Sequence, residues 1–436
     1  MNTISFYKIG MYFIFPFFML VHGVMWVLYS ASYPLAVYSM KLAFMPFLLV
    51  SVLNLRKELI NSAYIKFLLF VASPCFVISF VTPFFTNDSI SYFYYTSDAV
   101  GLAVALISIF VFLELFKNGS LDVINIERIF SVFLTIVSIY IIIYYFFSGG
   151  DKISITPEMY IPMAVVIGAY LCPVKGGSAP PFLLIALVAF ACALSQLREN
   201  LVIYAAVGVI CILRGLVLAP RNGRNAMLFL VATLIVGVFT PGSQTLVAER
   251  LSSMTMKVGP LFPGVMDGVP TFAEGWLQSL GKAVGVESTE EEKSGPIFTD
   301  GSINQRIVEV QLMYDEMALS PWTFLLGKGF GATYENKEKV LIYYGERVHN
   351  AHSTPFVVFF RNGLYGIILY LVPAVLAVFT LFSRNVLVFR ASLTVLIMYA
   401  AFMINQYFYW NVNFGLAVAF LIFSLRERHT SKLALQ

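Results

Sequence analysis

The sequence predicts an all-α, polytopic integral membrane protein with about twelve transmembrane helices and one large helical loop on the outer side. Three observations carry that expectation. Of the 436 residues, 59% are apolar or aromatic and only 12% are charged, where an average soluble domain is near a quarter charged. The mean hydropathy is +0.81. Apolar stretches of about twenty residues recur, each long enough to cross a hydrocarbon layer of about 30 Å as a helix whose backbone is internally hydrogen-bonded. A single water-soluble domain is thereby excluded.

The elements follow in chain order. Lys8 precedes an apolar run from Ile9 to Tyr29, and Ser30-Ala31-Ser32 resembles a cleavage site. The run is of spanning length and a second span follows at once, so it reads as a retained first helix. Nine spans are expected within 1–240, a large hydrophilic loop over 241–353, and three more spans with a tail over 354–436. Cys75, Cys172, Cys192 and Cys211 all fall in apolar segments, which implies no disulfide framework.

Lys/Arg asymmetry sets the orientation. Arg56, Lys57, Lys66, Lys117, Arg128, Lys175, Arg214, Arg221, Arg224, Arg384 and Arg390 fall in or beside loops on one side, and the tail adds Arg426, Arg428 and Lys432. The opposite short loops hold little beyond Lys152 and Arg198. By the positive-inside rule both termini are cytoplasmic and the long loop lies outside, in the periplasm of a bacterium. The net charge of +4 is thus a topological signature spread over loops, with no single basic face for nucleic acid.

Residues 241–351 carry 9 Lys/Arg against 14 Asp/Glu and read as helical. Thr271 and Glu274 form a capping box ahead of Phe272, Trp276, Leu277, Leu280 and Val284, with Gly285 as the stop. Glu290 to Lys293 reads as a solvated link. A second box, Ser302 with Gln305, opens a helix that Pro321 ends. Ile303, Ile307, Val310, Met313 and Met317 share one face, and Arg306 falls on it. Two readings of Arg306 stand: a snorkelling stem with its head in water, or a fork held in a cleft to grip a carboxylate or phosphate.

Chemistry concentrates at His349-Asn350-Ala351-His352-Ser353-Thr354-Pro355. Thr354 suits an N-cap and Pro355 a first helical turn, which places His352 just ahead of a helix amino terminus at the outer face. That end favours anions and a neutral imidazole able to accept a proton. His349 and Asn350 stand beside it, and either histidine is a candidate base. Arg361, about two turns into the span, requires a partner or a water-filled cavity. Gly363 and Gly366 suit close helix packing. Arg198 lies at the outer junction of two spans, as a substrate contact or as a loop charge paired with Glu199. Asp98 and Glu114 in the fourth span read as a proton relay or as snorkelling and capping groups. Trp276, Trp322, Tyr343 and Tyr344 suit interface anchoring or sugar stacking. His349-x-x-His352 is at most half a metal site and no cysteine lies outside, so no metal is expected. Neither a P-loop nor a dinucleotide fingerprint is present, and no cofactor is expected.

The string His352-Ser353, nine residues, then Gly363-Leu364-Tyr365-Gly366 resembles the His-[Asn/Ser/Gln]-x9-Gly-x-x-Gly signature of the O-antigen ligase and polymerase superfamily. Asn304-Gln305-Arg306, Pro321 and Gly327-Lys328-Gly329-Phe330-Gly331 are similar to that family's arginine helix and Gly-x-Gly turn. The likeness is specific over about residues 300 to 370. It implies a bacterial inner-membrane enzyme that joins glycans carried on undecaprenyl diphosphate at the periplasmic face, by a single inverting displacement without metal. The acceptor is another lipid-linked repeat unit in a polymerase of the Wzy type, or the lipid A core in a ligase. By that likeness His352 and Arg306 are the catalytic residues, His352 as base or orienting group for the acceptor hydroxyl and Arg306, with Arg198, on the donor diphosphate. Arg198, His349, Arg361 and Asn350 then contact substrate, and a chain-length regulator is an expected partner. The Leu197-Arg198-Glu199 segment departs from the Ser-Arg-Gly-like form of ligases and favours the polymerase. A transporter is the rival from another class; it would be expected to show matching halves, and no internal repeat is found.

Overall fold

The computed structural model describes residues 48–49, 51–53, 55, 63–85, 92–119, 121–147, 159–173, 180–194, 198–218, 223–239, 301–318, 320–336, 347–349, 354–404 and 412–433. The expected first span, the helix opened by Thr271, and residues Asn350, Tyr343, Tyr344 and His352 lie outside them. The described chain is mostly helical, consistent with an all-α membrane protein. Its helices are α1 (Ala63–Val81), α2 (Tyr92–Lys117), α3 (Val123–Phe147), α4 (Tyr160–Leu171), α5 (Phe182–Leu194), α6 (Arg198–Leu218), α7 (Gly223–Phe239), α8 (Gly301–Ala318), α9 (Pro321–Leu326), α10 (Thr354–Thr380), α11 (Val386–Ile404) and α12 (Val412–Leu433).

Among the described residues four stretches are long and apolar enough to cross a bilayer: Tyr94–Lys117, Val123–Phe147, Thr354–Thr380 and Val386–Met403. The 25 residues of α3 rise about 37 Å at about 1.5 Å each, enough for a hydrocarbon layer of about 30 Å. Four shorter apolar helices accompany them, including Tyr160–Leu171 and Phe182–Leu194.

The chain divides into two compact units, one of Met1–Thr233 with Val308–Gln436 and one of Leu234–Ile307. In the first, every residue of α4 is buried, and α3, α6 and α11 pack around it. Gly415 of α12 lets that helix approach α2 closely: a Cβ there would stand 2.4 Å from Cβ of Ser108. Phe116 then stacks on Phe423 at 4.9 Å. Helix α10 joins α11 through the Thr380 and Ser392 hydroxyls, 2.7 Å apart, and through the Tyr399 hydroxyl, which donates to the Tyr370 carbonyl. The described part of the second unit is the end of α7 and the first turns of α8.

Two local features differ from the sequence expectation. Pro321 not only follows α8 but starts α9, where Ser320 Oγ accepts the Trp322 N–H at 3.2 Å as an N-cap. A two-residue antiparallel ladder, β1 (Tyr334–Glu335) with β2 (Arg347–Val348), pairs Tyr334 with Val348. Such short strands carry no period for a sequence reading to detect.

Candidate functional site

Helix α10 begins at Thr354 with Pro355 next, and it breaks at Gly363, where φ is +63° and ψ −164°. A left-handed residue inside a helix interrupts the hydrogen-bond ladder and frees carbonyls on its amino-terminal side. The freed groups find partners in the turn Gly327-Lys328-Gly329-Phe330-Gly331. Lys328 N–H donates to the Phe360 carbonyl at 2.8 Å and Gly329 N–H to the Arg361 carbonyl at 2.9 Å. Phe330 N–H donates to Ser79 of α1 at 2.8 Å, and Gly331 N–H to Asp98 Oδ2 of α2 at 2.9 Å. One turn is thus tied to three helices.

The three glycines of the turn are needed twice over. Their φ angles are +79°, +85° and +75°, where an L side chain is strained. A Cβ at Gly327 would stand 2.3 Å from the Arg361 carbonyl, at Gly329 2.2 Å from Pro83, and at Gly331 2.8 Å from the Tyr95 nitrogen. Gly363, expected to serve helix packing, takes the same left-handed form and lies against the backbone of Leu325 and Gly327. Gly366 does face another helix, with Cys75 Sγ of α1 3.5 Å from where its Cβ would be.

Within this joint lies a buried charged network. Arg361 is fully buried. Its Nη1 donates to Asp98 Oδ1 at 2.8 Å, and its Nη2 donates to the His349 carbonyl at 2.9 Å and lies 2.8 Å from His349 Nε2. His349 Nδ1 is 3.1 Å from the Ala332 carbonyl, and its ring stacks on Tyr94 with centroids 3.9 Å apart and planes within 11°. A carbonyl demands a proton on Nδ1 and a guanidinium demands a lone pair on Nε2, so the contacts select the neutral Nδ1–H tautomer. Burial, and then the Arg361 charge, push the His349 pKa down to about 4 against the opposing pull of Asp98. Among the described residues the network pairs the Asp98 carboxylate with the Arg361 guanidinium.

A second tie lies beside it. Lys328 Nζ pairs with Glu316 of α8 and stands 5.9 Å from the centre of the Phe360 ring. The other Glu316 oxygen, Oε1, accepts the Glu335 N–H at 2.7 Å, so α8, the glycine turn and β1 share one carboxylate. Met313 and Met317, on the face expected from the helical period, are buried.

The sequence-predicted residues are distributed as follows. His349 and Arg361 meet each other, and the partner that Arg361 required is Asp98, 263 positions away. Arg198 is the first residue of α6 and Arg306 lies in the first two turns of α8; their side chains lie outside the described residues, as do His352 and Asn350 altogether. Sequence reasoning did not single out Tyr94, Ser79, Asn362, Glu316 or Lys328 as a site. Asn362 Nδ2 donates to Ser79 Oγ at 2.5 Å, fastening α10 to α1 beside the turn. The signal that could have found Asp98 is charge balance: Arg361 needs an acid, and the fourth span offers Asp98 and Glu114. Among the described residues, no three His, Cys, Asp or Glu side chains stand together as a metal-binding set. No protein-family model matches the chain, and no curated protein matches it significantly.

Proposed function

We propose that this chain is a bacterial inner-membrane glycosyltransferase that polymerises undecaprenyl-diphosphate-linked oligosaccharide repeat units of O-antigen or another surface polysaccharide at the periplasmic face. The observation that supports this reading is the contact between its two motif halves. The Gly327–Gly331 turn docks by backbone hydrogen bonds on α10 at Gly363, the glycine that closes the His352-led signature. Two segments that carry the family resemblance separately in the sequence form one joint, locked by Asp98, Arg361 and His349.

In this reading His352, two residues before the start of α10, takes the proton of the acceptor hydroxyl. The hydroxyl oxygen attacks the anomeric carbon of the donor chain, and the undecaprenyl diphosphate leaves with the bonding electrons. Arg306 and Arg198 hold that diphosphate and offset its charge, and the protein's main task is to align two long substrates. His349 has both ring nitrogens engaged and Arg361 is turned inward to Asp98, so their contribution is to hold the segment ahead of α10 in place. Both termini are cytoplasmic, as the Lys/Arg distribution implies.

The test uses purified protein in lipid with a synthetic undecaprenyl-diphosphate repeat unit, with and without lipid A core, and products separated by size. A ladder without the core, lost in His352→Ala and in Arg306→Ala at normal protein levels, is the expected result. Product formed only with the core makes the enzyme a ligase, and no product with either acceptor over several repeat units removes the enzyme reading in favour of transport.

A further inference from the structure

Helix α9 is apolar, and protein covers it on one side only. Its six residues, Pro321 to Leu326, include no ionisable group, and none of them is buried. Trp322 is 70% exposed, and Phe324 and Leu325 are exposed as well. The helix is nevertheless firmly held. Thr323 Oγ1 lies 2.9 and 2.7 Å from the Met317 and Ser320 carbonyl oxygens, and the Phe324 ring meets Phe359 of α10 edge to face at 5.1 Å. The Lys328 and Gly329 N–H groups fasten the residues that follow to α10. An apolar face fixed in this way needs a cover.

The same contacts give its depth. Helix α10 has 27 residues, about 40 Å at about 1.5 Å each, against a hydrocarbon layer of about 30 Å. Centred on that layer it projects about 5 Å at each end, so the boundary falls about three residues after Thr354. The stretch of α10 that meets α9 and Gly327, from Phe359 to Gly363, then lies about 3 to 9 Å below the boundary. Two other helices agree. Gly331, at the far end of the turn, meets Tyr95, one residue into the apolar stretch that starts at Tyr94, and Phe330 N–H meets Ser79, two residues before the end of α1. Composition changes at the same place. Helix α8 exposes Gln311 and Asp315, joined by a hydrogen bond at 2.9 Å, whereas no ionisable residue occurs from Ala318 to Gly327. The next charge, Lys328, is turned back to Glu316, and Arg361 is turned to Asp98, as charges at that depth require. Phe356 and Leu364, exposed on α10 before and after the stretch that α9 touches, continue the apolar surface.

We propose that α9 is a re-entrant helix: after α8 the long loop returns to the bilayer, and α9 lies in the leaflet at the amino-terminal end of α10 with Trp322, Phe324 and Leu325 against lipid acyl chains. Trp322, near the start of α9, sits where an indole ring is buried while its N–H reaches the polar headgroups. Hydropathy reads the whole region as loop because six residues are too few to span. Irregular backbone at this depth is tolerated only where protein satisfies it, and the Gly327–Gly331 turn is satisfied by α1, α2 and α10. This inference does not depend on the glycosyltransferase reading.

The test labels the unaltered full chain in lipid nanodiscs with two probes and maps each by peptide mass spectrometry. One is a phospholipid that carries a photoactivated diazirine in an acyl chain; the other is hydroxyl radical generated in the water. Lipid label on Trp322 to Leu325 is expected at least about fivefold above that on Gln311 to Asp315, and within about twofold of that on Leu364 to Ile368 of α10. With hydroxyl radical the order reverses. Trp322, the more exposed ring, is expected to oxidise at least about fivefold more slowly than Tyr314, which is 55% exposed on the Gln311 face of α8. Lipid label no higher on α9 than on Gln311 to Asp315, or Trp322 oxidised as fast as Tyr314, places α9 in water and overturns the proposal. Protection of α9 from both probes shows a cover of protein, from another segment or a second copy, and overturns it as well.

Discussion

Replacing Asp98 by alanine tests whether the joint at α10 is held by charge. Arg361 has no exposed surface, and Asp98 is 3% exposed, so the substitution takes from a guanidinium in the interior the carboxylate it donates to at 2.8 Å. Removing one partner of a buried pair costs about 3–5 kcal/mol. The Gly331 N–H, which donates to Asp98 Oδ2 at 2.9 Å, is orphaned as well, adding about 1–3 kcal/mol. Asp98→Ala is therefore expected to lose about 4–8 kcal/mol, and Asp98→Asn less, because its amide oxygen still accepts from Gly331. Equilibrium unfolding in mixed detergent micelles measures both. The decisive comparison is with Arg361→Met alone and in combination with Asp98→Ala. Removing both charges is expected to cost at least about 2 kcal/mol less than the sum of the single losses, because no lone ion is left behind. A loss under about 1 kcal/mol in Asp98→Ala, or additive losses in the cycle, would refute the buried pair as the element that holds the joint.

Two further outcomes follow from the same geometry. His349 ordinarily titrates near 6.5 and is held down to about 4 in the folded protein, so between those values the unfolded chain binds the proton that the folded chain refuses. Its contribution is complete above pH 6.5 and falls as pH drops, by up to about 1.4 kcal/mol per unit and about 3 kcal/mol in all; a His349→Gln chain whose unfolding free energy keeps the same slope between pH 6.5 and 4 contradicts this. Gly363→Ala meets both a left-handed backbone and the Leu325 carbonyl at 2.3 Å, whereas Gly119→Ala meets the same backbone sign with nothing within 4 Å. The second is expected to cost about 1 kcal/mol and the first at least about 3 kcal/mol, and equal losses in the same unfolding assay would show that strain alone, without the contact, sets the cost.

The start of α10 was legible to within a residue because such signals are local: Thr354, expected as the cap, is the first helical residue, and Pro355 follows it. The face of α8 was legible for a similar reason, and Met313 and Met317 are buried as the 3.6-residue period requires. Arg361 was half legible. Hydropathy shows that a charge inside an apolar span needs compensation, but its partner Asp98 lies 263 residues away, and no spacing rule connects them. Gly363 was legible as a position of close approach, and it does lie against the backbone of Leu325 in α9, but its positive φ was not legible. Small residues three apart fit helix contact, while the sign of φ is imposed by what docks there, and the docking segment belongs to another part of the chain.

That docking explains why the glycines of the turn and of the helix must be read together. A break at Gly363 exposes the Phe360 and Arg361 carbonyls inside a protein of high apolar content, a cost with no solvent to relieve it. The turn offers N–H groups at Lys328 and Gly329 in the right order, but only if its own backbone lies against that of α10, which any Cβ at Gly327 or Gly363 prevents. Each break is thus tolerable only in the presence of the other. The Arg361 side chain, leaving the helix beside the break, extends the contact to Asp98 on α2 and His349 ahead of α10. A substitution at either glycine should therefore loosen the same set of elements as removal of Asp98, and with them the position of the segment that bears His352.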